Sequence, residues 1–173
     1  TNLVIWGHFE SGKTQQAAIG RTLFELSRDQ TLRVGVVSAA ESKQSQKIIG
    51  SCANYIDNST SLHELAPQLR RSRDGPWRDD MVTVDRNSTA KEPTLQAVGV
   101  GGAVQGARLD RVIGDDLLSY LNTRTEYQRR EVLRWLDSTI FTRLTERGRV
   151  VVLTNAWHRE DAAHLLVQRP GWH

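Results

Sequence analysis

The chain has 173 residues, 38% hydrophobic and 25% charged, with a formal net charge of +3, which suits one globular domain with its own core. No apolar run approaches the roughly 18 residues a membrane-spanning helix needs, and the run Leu3–Trp6 is far too short for a signal peptide. Cys52 is the single cysteine, so no disulfide can form within these residues and a reducing setting is the default; the mild basic balance permits a nucleic-acid partner without demonstrating one.

In chain order, the β-branched, apolar residues 3–6 predict a buried strand, and residues 14–28 a helix whose Ile19, Leu23 and Leu26 fall on one stripe. Residues 33–38 form a second strand pattern, while 41–49 and 62–69 have helical character. The stretch from Arg70 through Arg71, Arg73 and Gly75-Pro76 to Trp77-Arg78 reads as a loop punctuated by Gly-Pro. Residues 81–85 and 95–100 are strands of antiparallel or edge character, and 111–114 and 149–154 are buried parallel strands. Thr123 and Glu126 make a capping-box pattern ahead of a helix whose Leu133, Leu136 and Ile140 share a face. A last helix follows His158, with Glu160 and Asp161 at the positive end of its dipole. The alternation predicts an α/β domain over residues 1–173, with a mainly parallel central sheet and helices on both faces. The chain has no initiator Met, and nothing closes it after Pro170-Gly171-Trp172-His173, so a fragment of a longer protein is expected.

Gly7-His8-Phe9-Glu10-Ser11-Gly12-Lys13-Thr14 has the Walker A spacing, placed after a strand and before a helix. Backbone N–H groups must wrap a polyphosphate there, and glycines permit the dihedrals and the close approach. The helix start adds a partial positive charge. In this reading Lys13 bridges the terminal phosphates of ATP and the Thr14 hydroxyl ligates Mg²⁺. The competing explanation is a chance match in a glycine turn, on the order of once in two hundred chains of this size at average glycine usage.

Val112-Ile113-Gly114-Asp115-Asp116 supplies the acids such a loop needs: an apolar strand emerging into two carboxylates. Asp115 is the candidate metal acid and Asp116 the group that orients or deprotonates water; the bland alternative is a helix cap. Residues 149–154 end in Thr154-Asn155, a place where a polar tip can sense the terminal phosphate, although an ordinary strand exit would look the same. The loop and the acidic tip are expected to meet across neighbouring strands.

At this point the chain resembles the large terminase subunits of tailed double-stranded DNA viruses. The resemblance runs through the Walker A loop, Pro93-Thr94-Leu95-Gln96-Ala97-Val98-Gly99-Val100-Gly101-Gly102, and Gln105-Gly106-Ala107-Arg108-Leu109-Asp110 ahead of Asp115-Asp116. Downstream it continues through Thr142-Arg143-Leu144 and Thr154-Asn155-Ala156-Trp157-His158-Arg159-Glu160-Asp161. It implies an Mg-dependent ATPase of the class with an additional strand between the two Walker strands. Lys13 and Thr14 then match the nucleotide loop, Asp115 the metal acid, Asp116 the catalytic carboxylate, and Thr154-Asn155 the coupling motif. It further implies a ring working in the host cytoplasm, with double-stranded DNA, portal protein and the small terminase subunit as partners. Two departures stand out. Phe9 occupies a position where many relatives carry Arg, and Gln105 one where some carry an arginine finger. Arg108, Arg111 and Arg143 are therefore the candidate fingers. The family's adenine-contacting segment and nuclease domain have no counterpart here, so no DNA cleavage is expected.

Arg70, Arg71, Arg73 and Arg78 around Trp77 offer a grip on DNA phosphates, against the plainer reading of a solvated loop with Trp77 as anchor. Arg124, Arg129, Arg130 and Arg134 are placed on one helix, serving a subunit interface or solubility. His8, His63, His158 and His164 lack zinc-ligand spacing. The alternatives to a packaging motor are a helicase- or recombinase-like ATPase and a nucleotide-binding assembly module with little turnover.

Overall fold

The structure, a computed structural model, describes residues 1–40, 43–104 and 108–173. Its centre is a 7-stranded sheet in the order β1-β7-β6-β2-β5-β4-β3. The strands are β1 (Leu3–Trp6), β2 (Val34–Ser38), β3 (Trp77–Arg78), β4 (Met81–Val82), β5 (Leu95–Gly99), β6 (Leu109–Asp115) and β7 (Leu144–Thr154). The pairs from β1 across to β5 are parallel, and β5, β4 and β3 finish the sheet antiparallel. This is the mixed α/β architecture, with a mainly parallel sheet, that the patterning predicts. One expectation is corrected: β7 lies between β1 and β6, so the loop after β1 and the acids after β6 are second neighbours. That is the additional-strand arrangement.

Both faces of the sheet are covered, and the alternation of side chains shows why the strands are apolar throughout. Val34, Val36, Ile113, Val151 and Leu153 enter one core with the buried residues of α1 and α2. Val37, Val112, Val150 and Val152 enter the other, with α5 and α6. Helix α1 starts with π winding over Thr14–Gly20 and continues as a regular α-helix over Arg21–Arg28. Helix α2 is Gln44–Asn58 and α3 is Thr60–Leu65. α4 is Tyr120–Thr123, α5 is Glu126–Trp135 with wound extensions to Arg143, and α6 is Ala162–Leu166.

Several boundaries differ from the sequence expectation. Helix α2 runs nine residues past the expected end at 49, because Cys52 and Ile56 continue its buried face. The expected helix at 62–69 is instead α3, started by the Ser59 side chain accepting from Leu62 N at 3.2 Å. The capping box is not Thr123 with Glu126. Thr125 caps α5 and pairs reciprocally with Gln128, while at the start of α4 Ser119 N donates to Asn122 Oδ1 at 2.7 Å. Arg124 thus lies between two helices, and Arg129 is buried rather than on a solvated face. The strand expected over 81–85 is cut to Met81–Val82, since Asp85 N turns to Arg70 O at 2.7 Å.

At the end of the sheet where β2 and β6 begin, Asp110 ties three strands. It accepts from Arg33 Nε at 2.9 Å, Arg33 Nη2 at 3.1 Å, Arg33 N at 3.0 Å and Thr145 Oγ1 at 3.0 Å. Burial alone would raise its carboxyl, but the hydrogen bonds and charge of Arg33, with Thr145, hold it below the ordinary range. A depressed folded-state value gives stability that is complete above the ordinary carboxylate range and is lost as pH falls through the depressed value. Asp110→Asn should therefore melt below the wild type at pH 7, and the gap should close on acidification below about pH 4. Thermal melts over that range check it; a gap unchanged at low pH would remove the ion pair as its cause.

Candidate functional site

The parallel ladders set the site. Trp6 is level with Thr154, and Leu153 with Asp115, so the residues that leave β1, β7 and β6 emerge together at one end of the sheet. Gly7 N donates to Thr154 O at 3.1 Å, which anchors the start of the loop on β7. Gly12 has φ +76°, a conformation that favours glycine, and a Cβ at Gly7 would stand 2.8 Å from Ser11 Oγ, which would have to turn away. Glu10 also takes a positive φ of 62°. No side chain caps the start of α1, which leaves its first N–H groups for an anion.

The Lys13 side chain is nearly buried and its ammonium is ringed by site residues. Nζ donates to Asn155 Oδ1 at 3.3 Å, lies 3.9 Å from Asp116 Oδ1, and sits 5.7 Å from the centre of the Phe9 ring. Phe9, at the position where a family arginine was missed, is itself 68% exposed. Thr14 Oγ1 donates to Asp115 Oδ2 at 2.8 Å. Gln44 Nε2, from the first turn of α2, donates to the same oxygen at 3.1 Å.

Asp115 is fully buried, and its other oxygen has no hydrogen-bond partner among the described residues. Burial pushes its carboxyl upward and the neighbouring Asp116 charge adds to this, against the hydrogen bonds of Gln44 and Thr14 and the charge of Lys13. Asp116 adopts φ +49°, an uncommon conformation for a non-glycine residue. It is pinned there by its N–H to Leu153 O and by Ala39 N to its own carbonyl, both at 3.1 Å. Its Oδ1 is also buried without a hydrogen bond among the described residues. The site thus offers one ammonium, one hydroxyl and two carboxylate oxygens with open capacity, an oxygen-rich set suited to a hard cation beside a polyanion.

Thr154 is buried and turns its hydroxyl to Asn155 O at 2.9 Å; Asn155 Nδ2 is buried without a partner among the described residues. Asp161, also fully buried, organises the segment that follows. Its carboxylate accepts from Trp157 N at 3.3 Å, His158 N at 3.1 Å, His164 N at 3.0 Å and His164 Nδ1 at 2.9 Å. The Trp-His-x-x-Asp pattern is therefore a loop folded around one acid that caps α6. Glu160, expected beside that helix start, reaches Arg129 instead at 3.2 Å.

The candidate arginines are elsewhere. Arg108 and Arg143 stand immediately before β6 and β7, and Arg111 is the third residue of β6, about 13 Å of strand short of Asp115. Arg111 is moreover tied to Glu25 and to the carbonyl of Asp110. Gln105, with Gly106 and Ala107, lies outside the described residues. The basic loop follows the plainer reading: Trp77 Nε1 is anchored on Asp57 of α2 at 3.0 Å, Arg71 covers the indole at 5.3 Å, and Arg78 pairs with Asp80. Sequence reasoning missed Gln44 and the Trp6–His164 ring pair at 5.5 Å. No local signal marks either, because both depend on which elements the sheet order brings together.

No family model matches the chain, and no curated protein matches it by sequence. Among solved structures, it is similar to the N-terminal domain of the DNA packaging ATPase from bacteriophage phi29. The TM-score is 0.50 at 12% identity, covering 96% of this chain and 78% of that one. It is likewise similar to a chain of the bacteriophage Phi-29 viral genome packaging motor assembly, with a TM-score of 0.50 and 12% identity, covering 91% of this chain and 44% of that one. At this identity the likeness establishes a shared fold.

The open oxygen of Asp115 gives a direct test of the site's cost. Asp115→Asn removes a buried charge and its repulsion with Asp116, and should raise the melting temperature of the ligand-free protein by about 2–4 °C, the shift of roughly 1 kcal/mol at this size. Calorimetry checks it; a lowered melting temperature would mean that the carboxylate is needed for structure.

Proposed function

We propose that this chain is the ATP-hydrolysing motor domain of a viral DNA-packaging enzyme, of the large-terminase kind that its ordered motifs resemble. The observation that carries the reading is the convergence of Lys13, Thr14, Asp115, Asp116 and Asn155 at the ends of three adjacent strands. The fold likeness to packaging ATPases of a bacteriophage supports it from a separate direction.

The roles follow from position. The loop from Gly7 through His8, Phe9, Glu10, Ser11 and Gly12 to Lys13 and Thr14 cradles the phosphates of ATP with backbone N–H groups. Lys13 gives up its contacts with Asn155 and Asp116 in favour of the terminal phosphates. Mg²⁺, bound with the nucleotide, supplies charge neutralisation at the phosphates, and Thr14 and Asp115 are the residues that would hold it. Asp116 accepts a hydrogen bond from the attacking water and orients it; the water oxygen bonds to the terminal phosphorus as the bond to the β–γ bridging oxygen breaks, the water's proton passes by way of Asp116 to the products, and ADP and inorganic phosphate leave. Loss of the phosphate returns Lys13 to Asn155, which leads directly into the segment folded around Asp161.

Since Arg108, Arg111 and Arg143 all lie toward the starts of β6 and β7, no one of them completes the site of its own chain. A neighbouring subunit in a ring is the natural source of such a group, and an isolated chain turns over slowly. The wider assembly proposed is a ring acting in the host cytoplasm on double-stranded DNA, with portal protein and the small terminase subunit as partners.

Turnover measured with Mg²⁺ and ATP, with and without double-stranded DNA, tests the reading. Lys13→Ala should abolish nucleotide binding and turnover. Asp116→Asn should keep binding and lower turnover by about 10²- to 10⁴-fold, the range of a positioned general base. Equal turnover in the wild type and Lys13→Ala, or processive strand unwinding, would overturn it.

A further inference from the structure

Beside the phosphate loop opens a cavity of about 550 Å³, lined by Trp6, Gly7, His8, Asn155, Ala156 and His164. Its size falls within the range of small-molecule sites. Its lining includes no lysine, arginine or carboxylate among the described residues, so it does not suit the phosphates themselves. A flat, uncharged ring suits it better.

Trp6 ends a strand whose other side chains are better covered, yet is 39% exposed. Exposed indole surface next to a polar loop is stabilised when a second ring covers it. The indole is held in place by the His164 imidazole, which also lines the cavity and lies 5.5 Å away at a tilt of 52°. That imidazole is in turn fixed by the buried Asp161 carboxylate at 2.9 Å. A stacking surface is thus preformed, and preformed surfaces bind with less ordering cost. The cavity shares Gly7 and His8 with the phosphate loop, and it shares Asn155 with Lys13. Any molecule held by its phosphates in the loop is therefore tethered at the cavity's edge.

We infer that this cavity receives the nucleobase of the bound nucleotide, with Trp6 as the stacking surface and His164 as its positioning residue. The inference rests on the phosphate-loop reading above and assigns the base subsite within it.

Binding of Mg-ATP and of inorganic tripolyphosphate, which has no base, separates the two. In the folded protein, checked by circular dichroism, Trp6→Ala should weaken ATP about tenfold or more, the size of one base–aromatic stack, and tripolyphosphate by less than about twofold. Trp6→Phe should restore most of the ATP affinity, and His164→Ala should weaken ATP selectively. Unchanged ATP affinity in Trp6→Ala overturns the inference. So does equal weakening of both ligands, which would make Trp6 only a support for the loop. A tripolyphosphate affinity indifferent to Lys13→Ala would instead sink the phosphate-loop reading, a different result from either.

Discussion

The parallel register of β1, β7 and β6 is the constraint on which the rest depends. Each strand alone ends in an unremarkable way, and the Walker loop by itself is only a turn with two glycines. Registration of Trp6 with Thr154 and of Leu153 with Asp115 puts the following residues of each strand at one level. That is why a lysine, an amide and two carboxylates meet although as many as 142 residues separate Lys13 from Asn155. The register is held in turn by two cores on the two faces, so a slip would move every alternate apolar side chain to the wrong core.

The site is assembled at a local cost to stability. Asp115 is a fully buried acid with one oxygen unpaired among the described residues, and Asp116 sits at positive φ. Both are unfavourable without a ligand. Sequence-level rules fail where function asks for something else, and these two residues show it. At the opposite end of the sheet, Asp110 is satisfied by hydrogen bonds from Arg33 and Thr145.

Gln44, outside the recognised motifs, and Asp161, at the end of one of them, extend the site. Gln44 brings the N-terminal turn of α2 to Asp115, while the same helix anchors Trp77 through Asp57 near its other end. Asp161 folds the segment after β7 so that His164 meets Trp6. The site end of the sheet is therefore connected to the basic loop through α2 and to α6 through the segment folded around Asp161.

The sequence alone determined the class of fold, and its motifs are the source of the chemistry proposed for the site. Short β-branched runs separated by helical stripes can be satisfied only by a sheet covered on both faces. A Gly-x₄-Gly-Lys-Thr turn after a strand constrains its backbone by steric necessity, whatever surrounds it. Helix ends were less legible: Thr125 and Gln128 were overlooked in favour of Thr123 and Glu126, because both pairs satisfy the same local pattern and only packing chooses between them. Tertiary structure decided what depends on strand order. It made β7 the additional strand that the resemblance implies, and placed Arg108, Arg111 and Arg143 toward the starts of β6 and β7. It also buried Arg129 and drew Gln44, Trp6 and His164 to the site. These are contacts between residues far apart in the chain, and local sequence carries no record of them, since many sheet orders bury the same apolar surface equally well.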